Sequence, residues 1–258
     1  MTPLRRYGFA AREASRAAGS RGGRSIAWPV AAMLLLTSVT AHANSWLDGF
    51  EQYRPDIVYQ SGQQMLMVAI AGIAAILVAV PVGVWLSRPL HGRAAHAVMF
   101  LLNAGQAVPK LALLALAMSV LGIGAKPAIL ALWLATLLPI AMNTYEGIRA
   151  VPPALIEAAN GIGMSPWQIL TRVELPNAMF VILAGVRTAL AITVGTAPLA
   201  FLVGGGGLGE LIFTGIDLND FSMLLAGAIP TALLAVLTDL FVAQMQHWLV
   251  PRGVNPHR

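Results

Sequence analysis

The sequence contains no cysteine and few charged residues. The absence of Cys among 258 residues excludes disulfides, thiolate metal sites and a cysteine nucleophile, and it leaves the redox compartment open. Charged residues make up only 10% of the chain, against about 25% in soluble domains. Hydrophobic residues make up 57%, and a soluble core of this size would need many more surface charges to cover it. The composition therefore predicts an all-α, polytopic membrane protein.

Motifs typical of enzymes are also lacking. The five histidines are scattered, and the chain has no HExxH, no GxSxG and no cluster of carboxylates. The glycine run at residues 204–209 is not a phosphate loop, because no Gly-Lys-Ser/Thr follows it and no strand precedes it. The sequence thus predicts a protein that is not an enzyme, with no cofactor and no metal.

The net charge of +5 does not indicate binding to nucleic acid. Six of the sixteen basic residues lie in the first 24 positions, and most others lie in short loops on one predicted side of the bilayer. Residues 1–24 are therefore predicted to be a basic cytoplasmic arm. Residues 25–47 lack Asp, Glu, Lys and Arg and are long enough to span a bilayer. They end in a small-x-small pattern, so a retained span and a cleaved signal are both open.

Five further apolar segments form a predicted transmembrane domain over residues 55–252. The spans are predicted at about residues 65–86, 94–120, 127–143, 179–203 and 222–250. The loops rich in Arg fall on one side of these spans and an acidic loop falls on the other, as expected in the bacterial cytoplasmic membrane. The core has five helices, and a sixth is added if the N-terminal apolar segment is retained.

A polar loop at residues 150–177 interrupts the spans on the predicted cytoplasmic side. Two prolines and an Asn-Gly pair predict a first helix at residues 154–160. Ser165 and Gln168 predict a capping box that begins a second helix, and Leu175-Pro176 is expected to end it. The two helices would form a protrusion on which Glu157 offers a charge and Ala158 and Ala159 a smooth flank for a partner protein. An ordinary helix–Gly–helix connector is the alternative.

The spacing of this loop carries a family resemblance. Glu157-Ala158-Ala159, then Gly163, then Leu175-Pro176 resemble the cytoplasmic coupling loop of permease subunits of binding-protein-dependent ABC importers. Several other runs resemble the osmoprotectant branch of that family, which imports glycine betaine, choline or carnitine. These runs occupy residues 106–109, 139–149, 161–164, 185–188 and 204–209.

The resemblance implies a division of labour between separate chains. It implies two ABC ATPase subunits that dock on the Glu157 loop, a solute-binding protein outside, and a second permease subunit, identical or related. ATP hydrolysis is then expected on the partner chain, and this chain would form the path through the lipid bilayer. One departure is Lys110, which stands where the family leads us to expect a small polar residue.

Polar residues in the predicted spans are candidates for the translocation path. Asn103, Gln106 and Pro109 are spaced by three residues in one predicted span, and Pro109 is a candidate hinge. Lys110 and Asp239 are charges at mid-membrane depth, where an unpaired charge costs roughly 2.5–3.5 kcal/mol. We therefore expect a Lys110–Asp239 pair; a Lys110 that snorkels or faces water alone is the alternative.

The glycine run is the candidate for the outer end of the path. Its residues are Gly204, Gly205, Gly206, Gly207 and Gly209, followed by Glu210. The run is expected to be either a sharp turn or a functional element, which would be a flexible outer gate or a seat for the binding protein with residues 208–213 as the contact surface. The alternatives to an osmoprotectant permease are an ion-coupled secondary carrier, an ABC permease for another small metabolite, and a membrane scaffold.

Overall fold

The computed structural model describes residues 50–88 and 92–250. The chain divides into two units, and nearly all of the described residues belong to the second, Gln52–Arg258. The predicted arm and the apolar segment at residues 25–47 lie outside the described residues. The elements of the second unit are α1 (Arg54–Leu86), α2 (Gly92–Ala107), α3 (Lys110–Leu121), α4 (Ala125–Arg149), α5 (Pro153–Gly161), α6 (Pro166–Ile169), a π-helix (Leu170–Glu174), α7 (Leu175–Thr196), a 3₁₀-helix (Ala197–Val203), α8 (Gly209–Asp217) and α9 (Phe221–Leu249).

The predicted five-helix core is confirmed, with one of its helices broken. Four stretches of the described chain are long and apolar enough to cross a membrane: Arg54–Leu86, Ala125–Arg149, Pro166–Val203 and Phe221–Leu249. The predicted span at residues 94–120 is instead two helices, α2 and α3. They separate at Val108-Pro109, because proline removes a helical hydrogen bond and forces the preceding residue out of the helical conformation.

The core lies where α1, α4 and α7 pack together. Ala75, Ala79 and Ala141 are completely buried there. Gly83 approaches α4 so closely that a Cβ atom at this position would overlap the side chain of Thr144. Small residues let helix backbones approach closely, and this close packing drives association between helices in lipid.

A buried hydroxyl pair also joins α4 to α7. The Oγ1 atoms of Thr136 and Thr193 are 2.8 Å apart, and both residues are buried. Each Oγ1 also lies within hydrogen-bond distance of a carbonyl one turn earlier in its own helix, so one hydroxyl donates to the other and the second donates to its carbonyl. The pair fixes α7 against α4 at the depth where the candidate path residues lie.

Candidate functional site

The predicted docking loop lies at one end of the bundle, which we call the Glu157 end. Helix α5 extends one residue beyond the predicted helix at each end, and Gly163 turns the corner with a φ of +79°. Glu157 and Ala158 are exposed, whereas Ala159 is only 4% exposed. Ala159 shares the bundle-facing side of α5 with Ile156, three residues earlier. The expectation that Ala159 gives a smooth flank to a partner is therefore wrong.

The second helix of the loop begins as predicted but does not end at Leu175-Pro176. Ser165 and Gln168 form the predicted capping box. The chain then widens into the π-helix, where the N–H of Leu175 donates to the carbonyl of Leu170, and it runs directly into α7. In a π-helical turn the N–H donates to the carbonyl five residues earlier. Pro176, which has no N–H, follows this wider turn, and the helix continues through it. The second helix of the loop and α7 therefore form one continuous helical rod, Pro166–Val203.

An ion pair ties this rod to α1. Arg88, just after α1, donates two hydrogen bonds to Glu174, at 3.2 Å for Nη1–Oε1 and 2.6 Å for Nη2–Oε2. The Glu174 side chain is 8% exposed and that of Arg88 is 29% exposed. A buried carboxylate needs a partner, and the planar guanidinium matches both of its oxygens. Sequence reasoning missed this pair because Glu174 occupies a position that the spacing pattern leaves free.

Two large apolar side chains project beside Glu157. Ile162 is 75% exposed and Trp167 is 71% exposed, one on each side of the Gly163 corner. Together with Glu157 and Ala158 they form a mixed apolar and charged surface, which we call the docking surface. Aromatic residues are enriched in the centres of protein interfaces. A Trp and an Ile flanking a glycine corner in a polar stretch were the signal that sequence reasoning overlooked.

The expected Lys110–Asp239 pair is wrong. Asp239 accepts two hydrogen bonds from Arg187, at 2.6 Å for Nε–Oδ1 and 2.5 Å for Nη2–Oδ2. Lys110 donates instead to Thr196 Oγ1, at 3.3 Å. Arg187 and Thr196 lie nine residues apart on α7, which is about 13 Å along the helix axis and beyond the reach of one lysine. Arg187 lies within α7, in the span predicted at residues 179–203.

The other predicted path residues lie at the break between α2 and α3. Asn103 and Gln106 are exposed on α2, and the Gln106 amide donates to Met142 Sδ on α4. Pro109 is exposed between the two helices, so it does not share a helix face with the two amides. We call Asn103, Gln106 and Lys110 the polar face. Lys110 is half-buried and is the first residue of α3.

The glycine run lies at the opposite end of α7, which we call the glycine end. Gly204, Gly206 and Gly207 have φ values of +78°, +76° and +87°, a region that side chains rarely enter. The N–H of Gly207 donates to Gln63 Oε1 at 2.9 Å, and the N–H of Leu208 donates to Gln64 Oε1 at 3.2 Å. The run is thus a sharp turn held by two amides of α1. Sequence reasoning did not single out these glutamines.

The surface expected beyond the glycine run is largely buried. Leu208 is 0% exposed and Leu211 is 2% exposed, so neither can contact a partner in this structure, whereas Glu210 is exposed. Nearby, Tyr53 donates to Asp220 Oδ2 at 3.1 Å. Burial first, and then this hydrogen bond, raise the pKa of the Tyr53 phenol, which keeps it protonated as the donor.

Comparison with known families identifies the class of protein. Residues 79–253 match the family described as the inner membrane component of binding-protein-dependent transport systems. The chain belongs to this family. It is therefore a transport subunit of the inner membrane, as predicted, and not an enzyme.

The curated relatives of this inner membrane component share its length as well as its sequence. The osmoprotectant import permease protein OsmY of Salmonella typhimurium is 50% identical over 208 residues, covering 81% of this chain and 88% of OsmY. The glycine betaine/carnitine/choline permease OpuCB of Bacillus subtilis is 40% identical, covering 78% and 91%. The choline permease OpuBB of the same organism is 41% identical with the same coverage.

Solved structures show the same fold at lower identity. An inward-facing form of the MetNI methionine ABC transporter matches with a TM-score of 0.70 at 22% identity, covering 78% of this chain and 99% of that one. An amino acid ABC transporter with histidines matches with a TM-score of 0.63 at 16% identity, covering 76% and 95%. These likenesses confirm the ABC permease fold of this inner membrane component.

Proposed function

We propose that this chain is the permease subunit of an ATP-driven importer for small osmoprotectants of the glycine betaine, choline and carnitine class. The observation that carries the substrate class is the 50% identity with an osmoprotectant import permease over 81% of the chain. The other relatives support it, because their names specify choline, carnitine or glycine betaine. A soluble binding protein would deliver the solute, and a second permease subunit, identical or related, would complete the path.

The docking surface supports coupling to separate ATPase subunits. Glu157 and Ala158 are exposed on a short helix, and the apolar side chains of Ile162 and Trp167 lie on either side of the corner. Trp167 belongs to the helical rod that runs through the π-helix into α7, so displacement of the docking surface at this residue would move a rod that reaches the glycine end. A partner that closes on two such loops would rock the two permease subunits against each other.

The polar face supports a path along α2 and α3. Asn103 and Gln106 are polar and exposed in a segment that is otherwise apolar, and Lys110 follows the helix break. Polar groups at this depth are found where helices pack or where water enters. The Gly204–Gly209 turn and the exposed Glu210 would form the outer end, beside the seat of the binding protein.

An ion-coupled carrier has less support. Its coupling residues would have been Lys110 and Asp239, and Asp239 is occupied by Arg187. A permease for another small metabolite remains the second candidate within the family.

The test is copurification of the tagged chain from its native membrane, followed by ATP hydrolysis assays with the binding protein. We expect an ATPase subunit to copurify and glycine betaine, choline or carnitine to stimulate hydrolysis. Glu157→Lys should leave the chain in the membrane yet reduce solute-stimulated hydrolysis at least tenfold, because it reverses the charge at a site expected to be desolvated by the partner.

The matched control is Glu146→Lys. Glu146 is also an exposed glutamate near the Glu157 end, but it lies on α4 outside the docking surface. The Glu146→Lys variant should retain the solute-stimulated ATP hydrolysis of the wild type. Full stimulation in Glu157→Lys would refute the docking role, and transport that follows an ion gradient without an ATPase would refute the importer itself.

A further inference from the structure

The charges in the middle of the predicted spans do not cancel. Of the residues that the structure describes, Lys110, Arg187 and Asp239 are the charged ones within the five predicted spans. Arg187 and Asp239 neutralise each other through two hydrogen bonds. Within the described ranges, Lys110 has one hydrogen-bond partner, the Thr196 hydroxyl, and no carboxylate within ion-pair distance. The described part of the predicted spans therefore carries one positive charge that no carboxylate neutralises.

Lys110 lies beside the other polar residues of the proposed path. An ammonium without a counter-ion in a membrane span is stabilised when it reaches water. It adjoins the helix break beside Pro109, on the chain segment that also carries the exposed amides of Asn103 and Gln106. Thr196 holds its Nζ atom from α7, which limits how far the ammonium can move away.

We propose that Lys110 is a specificity-determining residue that favours zwitterionic cargo over purely cationic cargo. Glycine betaine and carnitine carry a carboxylate that the ammonium attracts, whereas choline carries only a quaternary ammonium that it repels. At a separation of about 10 Å and an effective dielectric constant of about 20, a unit charge changes the relative passage of the two classes by roughly tenfold. The inference rests on the proposed function, because it assumes that these solutes pass through this chain.

The experiment compares uptake of radiolabelled glycine betaine and choline into proteoliposomes that contain the complete importer with ATPase and binding protein. The binding protein is the same in every assay, so its own preference cancels when the ratio of the two rates is compared between permease variants. Lys110→Gln should raise the choline to glycine betaine ratio roughly tenfold, and Lys110→Arg should keep the wild-type ratio because the charge remains.

Two further variants make the result specific. Lys110→Ser should shift the ratio in the same direction as Lys110→Gln, so the test survives if one variant is poorly inserted. Lys126→Gln removes an exposed lysine at the start of α4 and should leave the ratio unchanged.

The outcomes separate this inference from the proposed function. A wild-type importer that carries both solutes with a ratio unmoved by Lys110→Gln and Lys110→Ser overturns the specificity role alone. A ratio that shifts equally in Lys126→Gln also overturns it, since the effect would then follow overall charge. A wild-type importer that carries neither solute overturns the proposed function, and the inference falls with it.

Discussion

Both ends of the bundle are fastened to α1, but by different chemistry. At the Glu157 end, Arg88 holds Glu174 by an ion pair with two hydrogen bonds, of 3.2 and 2.6 Å. At the glycine end, the neutral amides of Gln63 and Gln64 accept hydrogen bonds from two backbone N–H groups of the glycine run. The chain segment of α1 and Arg88 therefore contacts the loop at one end of the bundle and the glycine turn at the other.

The difference between the two ends indicates different mechanical roles. The ion pair holds a segment whose neighbouring residues project outward as the docking surface, so it can resist a partner that pushes on the loop. The amides hold a turn that is itself buried, with Leu208 completely inside. The Glu157 end is therefore fastened by charge beside an exposed surface, and the glycine end by neutral amides at a largely buried turn.

The largest expected effect comes from reversing one charge at the Glu157 end. Glu174→Arg places two guanidinium groups together at a buried position, and breaking such a pair costs about 3–5 kcal/mol. We expect the uptake of solute per ATP hydrolysed to fall at least tenfold in reconstituted importer. The exchanged double variant, Arg88→Glu with Glu174→Arg, should recover most of the loss, because it restores opposite charges.

The control for these charge reversals is Arg172→Glu. Arg172 lies in the same π-helix but is exposed, so its reversal should change the ratio of uptake to hydrolysis little. If the exchanged double variant is as defective as Glu174→Arg, or if Arg172→Glu is equally defective, the pair does not act as the connection described above.

A smaller effect is expected at the glycine end. Gln64 is 0% exposed, accepts from the N–H of Leu208 and donates to the carbonyl of Val194. Gln64→Leu leaves both backbone groups buried without partners, at about 1–3 kcal/mol each. We expect a lower thermal unfolding midpoint in detergent.

Gln60→Leu is the matched control for Gln64→Leu. Gln60 lies one turn earlier on α1 and is 5% exposed, but its Oε1 atom is buried without a hydrogen-bond partner. Replacing this amide should leave the midpoint unchanged or raise it, since an unsatisfied buried oxygen is removed. Equal losses in the two variants would show that packing, and not the amide bridge, holds the turn.

The sequence was sufficient for the features that depend on local chemistry. Apolar length predicted the five-helix core, and the Ser165–Gln168 capping box and the helix before Gly163 were predicted from residues within one turn of each other. Composition predicted the membrane class, and the spacing of the Glu157 loop predicted the family.

The sequence was insufficient for pairs that form across the fold. Arg88 and Glu174 are 86 positions apart, and Arg187 and Asp239 are 52 apart. Their pairing depends on which helix faces which, and a single sequence does not show that. The same limit made Lys110 and Asp239 look like partners when their true neighbours on α7 lie about 13 Å apart along the helix. The prediction that Leu175-Pro176 ends the helix was wrong for a different reason. A π-helical turn precedes the proline, and the helix continues through this residue although it has no N–H.

The smallest expected effect is that of salt on amide hydrogen exchange at the two ends of the bundle. Ions screen a partly exposed ion pair but not a pair of neutral amides. In the full importer, amide hydrogen exchange across Leu170–Glu174 should rise about threefold between 0.1 and 1 M KCl, while exchange at Gly207 and Leu208 stays constant. Glu174→Gln should abolish the salt dependence, because it removes the charge that salt screens. Equal acceleration at both ends would show a general loosening of the bundle, and the contrast between a charged and a neutral fastening would then fail.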